Sequence, residues 1–151
     1  MVKKPERRNE PKNSAFFAFP KSDLGNFDML STLVKTSLPK IPFERIAAEI
    51  LGKKYALSLV VCSDTLARRM NRTYRKKGYA PNILSFPLGT SSGEIFLNVA
   101  KAKREARMMK IGLRARLVHL YVHGCLHLKG FNHGERMEAV EKQILKQFQL
   151  L

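Results

Sequence analysis

The chain has four histidines, and all of them lie between positions 119 and 133. The segment reads His119-Leu120-Tyr121-Val122-His123-Gly124-Cys125-Leu126-His127-Leu128-Lys129-Gly130-Phe131-Asn132-His133. Residues four apart on a helix lie within about 40° of each other around the axis and about 6 Å along it, so the imidazoles of His123 and His127 can converge on one ion. Gly130 can take the left-handed conformation that ends a helix, and the turn it permits can carry His133 back beside them. Three neutral imidazoles with an open position for water are the ligand set of a catalytic zinc. His119 extends the same row, but the outer members of that row stand about 12 Å apart along the axis. That is too far for one ion whose bonds to nitrogen are about 2.0–2.1 Å. His119 is therefore expected beside the ligands, touching them or the substrate, or in plain structural duty. Cys125 is turned about 200° from His123 and faces away.

The ligand spacing equals that of the metzincin metalloproteases, H-E-x-x-H-x-x-G-x-x-H. One fixed position differs, and it is the one that carries the chemistry: the general-base glutamate is Gly124 here. The metal ligands are kept while the peptidase's proton acceptor is lost.

The elements that must position these residues are punctuated by proline and glycine. Residues 1–14 are polar and basic without apolar periodicity and read as a flexible tail, followed by a single domain over 15–151. Ala15–Phe19 reads as a marginal strand, and helical patterns run over 27–37 and 43–51, broken at Pro39 and Pro42. Tyr55–Cys62 is rich in β-formers, and Ser63 or Asp64 is placed to cap the helix that follows. That helix carries Leu66, Met70 and Tyr74 on one side and Arg68, Arg69, Arg72 and Arg75 around the others. It leads into Lys76, Lys77 and a turn. Asn82–Pro87 and Glu94–Asn98 read as neighbouring strands, with Gly89–Gly93 as the loop between them. A basic helix over 99–109 carries Lys101, Lys103, Arg104 and Arg107. The histidine helix spans 113–129, and a last helix begins at Glu135 with Met137, Val140, Ile144, Leu145 and Phe148 at core spacing. The reading is an α+β domain with a single sheet of about four strands packed with about six helices, the metal site lying at the C-terminal end of a central helix.

Composition narrows the partner. The 151 residues carry a formal charge of +16, which favours a polyanion. Nucleic acid and anionic membrane both qualify, but no apolar run of about 20 residues is present, so no membrane partner is expected. The two cysteines, Cys62 and Cys125, make no disulfide framework and read as buried thiols of a reducing compartment. The N-terminus lacks the apolar run of a secretory signal, so a cytoplasmic protein is expected.

The histidine segment resembles the signature of the YbeY-type rRNA maturation factors, zinc-dependent endoribonucleases. A second block agrees: Asn71-Arg72-Thr73-Tyr74-Arg75, then Asn82-Ile83-Leu84-Ser85-Phe86-Pro87, and Gly93-Glu94-Ile95 resembles the family's Gly-Asp-Ile strand start. The resemblance covers about 55–145. It implies a zincin-like α+β fold, one zinc ion held by His123, His127 and His133, and cleavage of single-stranded RNA in 16S rRNA 3′-end processing and ribosome quality control, with the small subunit or its assembly factors as partners. It also implies a functional arginine at Arg75, with Arg72 the weaker candidate. An arginine suits that role because its planar fork can hold a phosphate bidentately. The chain departs from the pattern at Asn132, where the family usually has aspartate, and at Gly78, where its turn has an acid. The segment after the last histidine is less acidic too.

The leading expectation is metal-assisted RNA hydrolysis, with Arg68, Arg69, Lys76, Lys77, Lys101, Lys103, Arg104 and Arg107 as the RNA-attracting surface. No general base is identifiable, Glu135 being merely the nearest carboxylate in sequence. The alternatives are a non-catalytic, zinc-stabilised RNA-binding assembly factor and a metalloprotease-like hydrolase.

Overall fold

The β-former run after Gly52 becomes the first strand of a three-stranded sheet, and the rest of the fold is arranged on its two faces. The structure, a computed structural model, describes residues 38–148. The expected tail over 1–14, the strand over 15–19 and the helix over 27–37 lie outside the described residues. In chain order the elements are α1 (Phe43–Leu51), β1 (Ala56–Cys62), α2 (Asp64–Arg75), β2 (Ile83–Pro87), β3 (Ser92–Asn98), α3 (Val99–Met109), α4 (Leu113–Lys129) and α5 (Glu135–Gln147).

The sheet order is β1-β3-β2, with β1 parallel to β3 and β2 antiparallel to it. The anticipated pairing of the Ile83 and Ile95 segments is present, with Ile83 opposite Leu97 and Ser85 opposite Ile95. One expectation needs correcting: Ser92 and Gly93 belong to β3, not to the loop before it. They are drawn into the sheet by β1, where Ala56 pairs with Ser92 and Leu57 with Gly93. Glycine lets the neighbours close in: a Cβ on Gly93 would fall 2.5 Å from the Tyr55 hydroxyl and 3.0 Å from Leu128 Cδ2, so those side chains would have to shift.

Alternation along the strands sends successive side chains to opposite faces. Leu84, Phe86 and Phe96 pack on Leu66, Ala67 and Met70 of α2. On the other face, Ile95 joins Val118, Val122, Cys125 and Leu126 of α4, with Ile46 and Ile50 of α1 and Met137, Ile144 and Leu145 of α5. Helices α1, α3 and α5 all lie against α4, which is therefore the central helix. Each aliphatic side chain fully buried there contributes about 1.5–3 kcal/mol. Both cysteines are buried free thiols, and burial pushes the Cys62 thiol up to about 12, so neither is poised as a nucleophile or ligand.

Candidate metal centre and its cleft

Helix α4 is buried along most of its surface, and Arg116, His119, His123 and His127, spaced three or four apart, form one polar seam on it. The seam faces a cleft of about 1150 Å³. At its end Gly130 takes φ +105°, donating its N–H to His127, and the Phe131 N–H reaches back 3.0 Å to the Leu126 carbonyl. This is the left-handed stop expected from the sequence, and it turns the chain so that His133 comes back to the helix. The ring centroids of His127 and His133 are 4.6 Å apart, and those of His123 and His133 are 5.0 Å apart. One nitrogen from each of the three rings lies within 4.8 Å of the others.

The hydrogen bonds select the nitrogens. His127 Nδ1 donates to the Phe131 carbonyl at 3.1 Å, and His123 Nδ1 donates to Glu141 Oε1 in a short hydrogen bond. With each Nδ1 engaged in this way, Nε2 is the nitrogen each ring has left to ligate, and the two Nε2 atoms stand 3.0 Å apart. A tetrahedral ion would set such nitrogens about 3.3 Å apart, close to the spacing seen. The residues present therefore fit a metal ion. Burial first, then the neighbouring His123 and His133, push the His127 imidazole down to about 4, so it is neutral and ready to ligate at ordinary pH.

Glu141 was not singled out by the sequence, and it is the main addition the structure makes to the site. Its Oε2 also meets His119 Nε2 at 3.3 Å, so one carboxylate bridges a ligand and the cleft-facing His119. Burial alone would raise the Glu141 carboxyl, but hydrogen bonds from His119 and His123 overcome it and hold the group down at about 2. A signal existed: Glu141 sits one turn from both Met137 and Leu145 on the buried face of α5, and a charge on a core face needs a partner. Glu135, by contrast, is exposed and outside the cleft lining.

Gly124 accounts for the lost protease base. Here α4 presses onto the sheet, where a Cβ would fall 2.7 Å from Ile83 Cδ1 and 2.9 Å from Ser85 Oγ, and Ser85 Oγ donates to the Gly124 carbonyl at 3.1 Å. A glutamate at this position would have to displace Ile83 and Ser85, both of which line the cleft.

Across the cleft, Arg75 at the end of α2 lines the wall, whereas Arg72 is exposed outside it. Arg75 Nη1 donates at 3.4 Å to Oδ1 of the buried Asn71. Asn132 is exposed and does not line the cleft. Of the basic residues anticipated as RNA-attracting, Lys101 lines the cleft, and it is already committed: its Nζ donates at 2.7 Å to the Ala80 carbonyl. Arg104 is likewise engaged, bidentate on Asp64 at 2.8 and 2.9 Å. Ser63, not Asp64, caps α2, which leaves the Asp64 carboxylate available for that pair. Arg68, Arg69, Lys76, Lys77 and Arg107 are exposed and Lys103 half-buried, all outside the cleft lining. Among the described residues no helix is long and apolar enough to cross a membrane.

Three imidazoles able to take one ion, two on a helix laid across a small mixed sheet and one from the turn after it, place the molecule in a class: α+β domains with a three-histidine candidate metal site in a cleft. Within that class the chain belongs to the YbeY family, whose model, described as Endoribonuclease YbeY, matches residues 29–149. It is 36% identical over 102 residues to Endoribonuclease YbeY of Pseudomonas entomophila, covering 59% of this chain and 65% of that one. To Endoribonuclease YbeY of Polynucleobacter asymbioticus it is 33% identical over 133 residues, covering 75% and 86%. The chain thus spans somewhat under two-thirds of the Pseudomonas relative's length. The solution structure of TM1509 from Thermotoga maritima is similar with a TM-score of 0.52 at 19% identity, covering 79% of this chain and 85% of that one, which supports the fold alone.

Proposed function

We propose that the chain is a zinc-dependent endoribonuclease of zincin-like fold that cleaves single-stranded RNA, acting on ribosomal RNA at the 16S 3′ end and in ribosome quality control. The observation that carries this reading is the convergence of one nitrogen from each of His123, His127 and His133 to within 4.8 Å, in a cleft that Arg75 also lines. His123, His127 and His133 would hold the ion. Bound there, zinc supplies a water of lowered pKa or polarisation of a phosphoryl oxygen.

The chain's own residues supply the rest. The Arg75 guanidinium holds a phosphate and offsets charge that builds on it during cleavage. Asn71 aims that guanidinium through its Oδ1. Glu141 fixes the His123 tautomer and holds His119 at the cleft, where His119 can meet substrate. The exposed cations Arg68, Arg72, Lys76, Lys77 and Arg107 raise the local concentration of a polyanion.

One observation favours a second reading, a zinc-stabilised RNA-binding assembly factor without cleavage: Glu141 is tied to two histidines, so it is not a free proton acceptor. The metalloprotease reading is disfavoured by the packing around Gly124. Metal analysis and cleavage of a labelled single-stranded RNA by the purified chain decide among them. We expect about one zinc per chain, with cleavage lost on chelation and in His127→Ala, and RNA binding retained in that variant. Bound RNA that is never cut, with zinc present, would select the assembly-factor reading.

A further inference from the structure

The loop between α2 and β2 bears Tyr79 on the cleft wall with 49% of its surface exposed. A single exposed aromatic needs no explanation, but the backbone that carries this one is fixed to an unusual degree. Three consecutive carbonyls each accept a hydrogen bond from a different side chain. Asn71 Nδ2 donates to Tyr79 at 3.0 Å, Lys101 Nζ to Ala80 at 2.7 Å, and Asn98 Nδ2 to Pro81 at 3.2 Å. Asn71 and Asn98 are wholly buried, so two of these anchors are core groups. The Lys101 ammonium also stands 5.6 Å from the centre of the Tyr79 ring. Asn71, which holds the Tyr79 carbonyl, is the same residue that accepts from Arg75, so the ring and the guanidinium are set from one buried amide.

We propose that Tyr79 is a nucleobase-stacking residue of this cleft, taking a base of single-stranded RNA beside the phosphate held at Arg75. The inference rests on the RNA reading above and adds a named contact to it. An aromatic face next to a cation is the combination that binds single strands with little regard to sequence, because every base has a π-face. Its rigid backbone means that little ordering is left to do on binding. Nothing in the core depends on the exposed ring, so its removal leaves the fold intact.

The test is binding of a fluorescein-labelled single-stranded oligoribonucleotide, 2′-O-methylated to slow cleavage, by the full chain and by Tyr79→Phe and Tyr79→Ala, with thermal unfolding as a check of folding. Tyr79→Phe should bind like the unsubstituted chain, and Tyr79→Ala about tenfold more weakly. An abasic nucleotide moved along the oligonucleotide should weaken binding about tenfold at one position in the unsubstituted chain and have little effect there in Tyr79→Ala. Equal affinity of Tyr79→Ala, or an unchanged abasic profile, overturns this inference while leaving the RNA reading intact. A chain that binds no single-stranded RNA overturns both.

Discussion

Glu141 determines which nitrogen His123 can offer. With its carboxylate accepting from Nδ1, the ring is locked in the tautomer whose Nε2 is free, and partners of this kind are commonly worth 10- to 100-fold in metal affinity. Glu141→Ala should therefore weaken zinc binding about 10- to 100-fold, read by competition with a chromophoric chelator. Glu141→Gln, which can still accept through its amide oxygen, should lose less. Equal affinity in all three chains would show that the Glu141 contact does not tune the site. The residue was hidden from a linear reading because it lies on a different helix from the histidine it serves. The triad itself was legible, since helical spacing and one glycine stop suffice to bring His123, His127 and His133 together. The resemblance ranked Arg75 above Arg72, and of the two it is Arg75 that lines the cleft.

At the scale of elements, the close seating of α4 on β2 and β3 depends on the absence of a side chain at position 124. Gly124→Ala gains helix propensity of up to about 1 kcal/mol, but its methyl would meet Ile83 and Ser85 inside ordinary contact distance. Overpacking of this kind costs about 1–3 kcal/mol, and moving Ser85 would also break its bond to the Gly124 carbonyl. The net expectation is destabilisation by about 1 kcal/mol, measured from the denaturant midpoint; a midpoint unchanged or raised would show that the seam yields easily. The helix boundaries were readable because Pro42, Gly52, Gly112 and Gly130 punctuate them. The start of β3 was not, because Ser92 and Gly93 look like turn residues until β1 is placed alongside.

For the whole molecule, 28 lysines and arginines face only 12 acids, so each anchored carboxylate matters to stability in acid. Asp64 joins the start of α2 to Arg104 of α3 and to Asn98 at the end of β3. Hydrogen bonds from Arg104 and then Asn98 hold its carboxyl down at about 2. A carboxyl depressed on folding stabilises fully above its unfolded value of about 3.9, and that contribution fades as pH falls through the folded value. The melting temperature of the unsubstituted chain should exceed that of Asp64→Asn at pH 5–7, and the gap should close between about pH 4 and pH 2. A gap that is constant across that range would remove Asp64 from the account. Such cross-links between remote segments are invisible to local pattern, which registered Arg104 as one more surface cation. Net charge names a polyanion as the partner to test, but not which cations are already engaged.

The packing at Gly124 also bears on what this scaffold can become. At the level of residues, the segment stands one substitution, Gly124→Glu, from the full metzincin pattern. That substitution would set a Cβ against Ile83 and Ser85, two residues of the cleft lining, inside ordinary contact distance. The likeness in spacing is thus guarded by packing: the residue that would complete the pattern has first to move Ile83 and Ser85 aside.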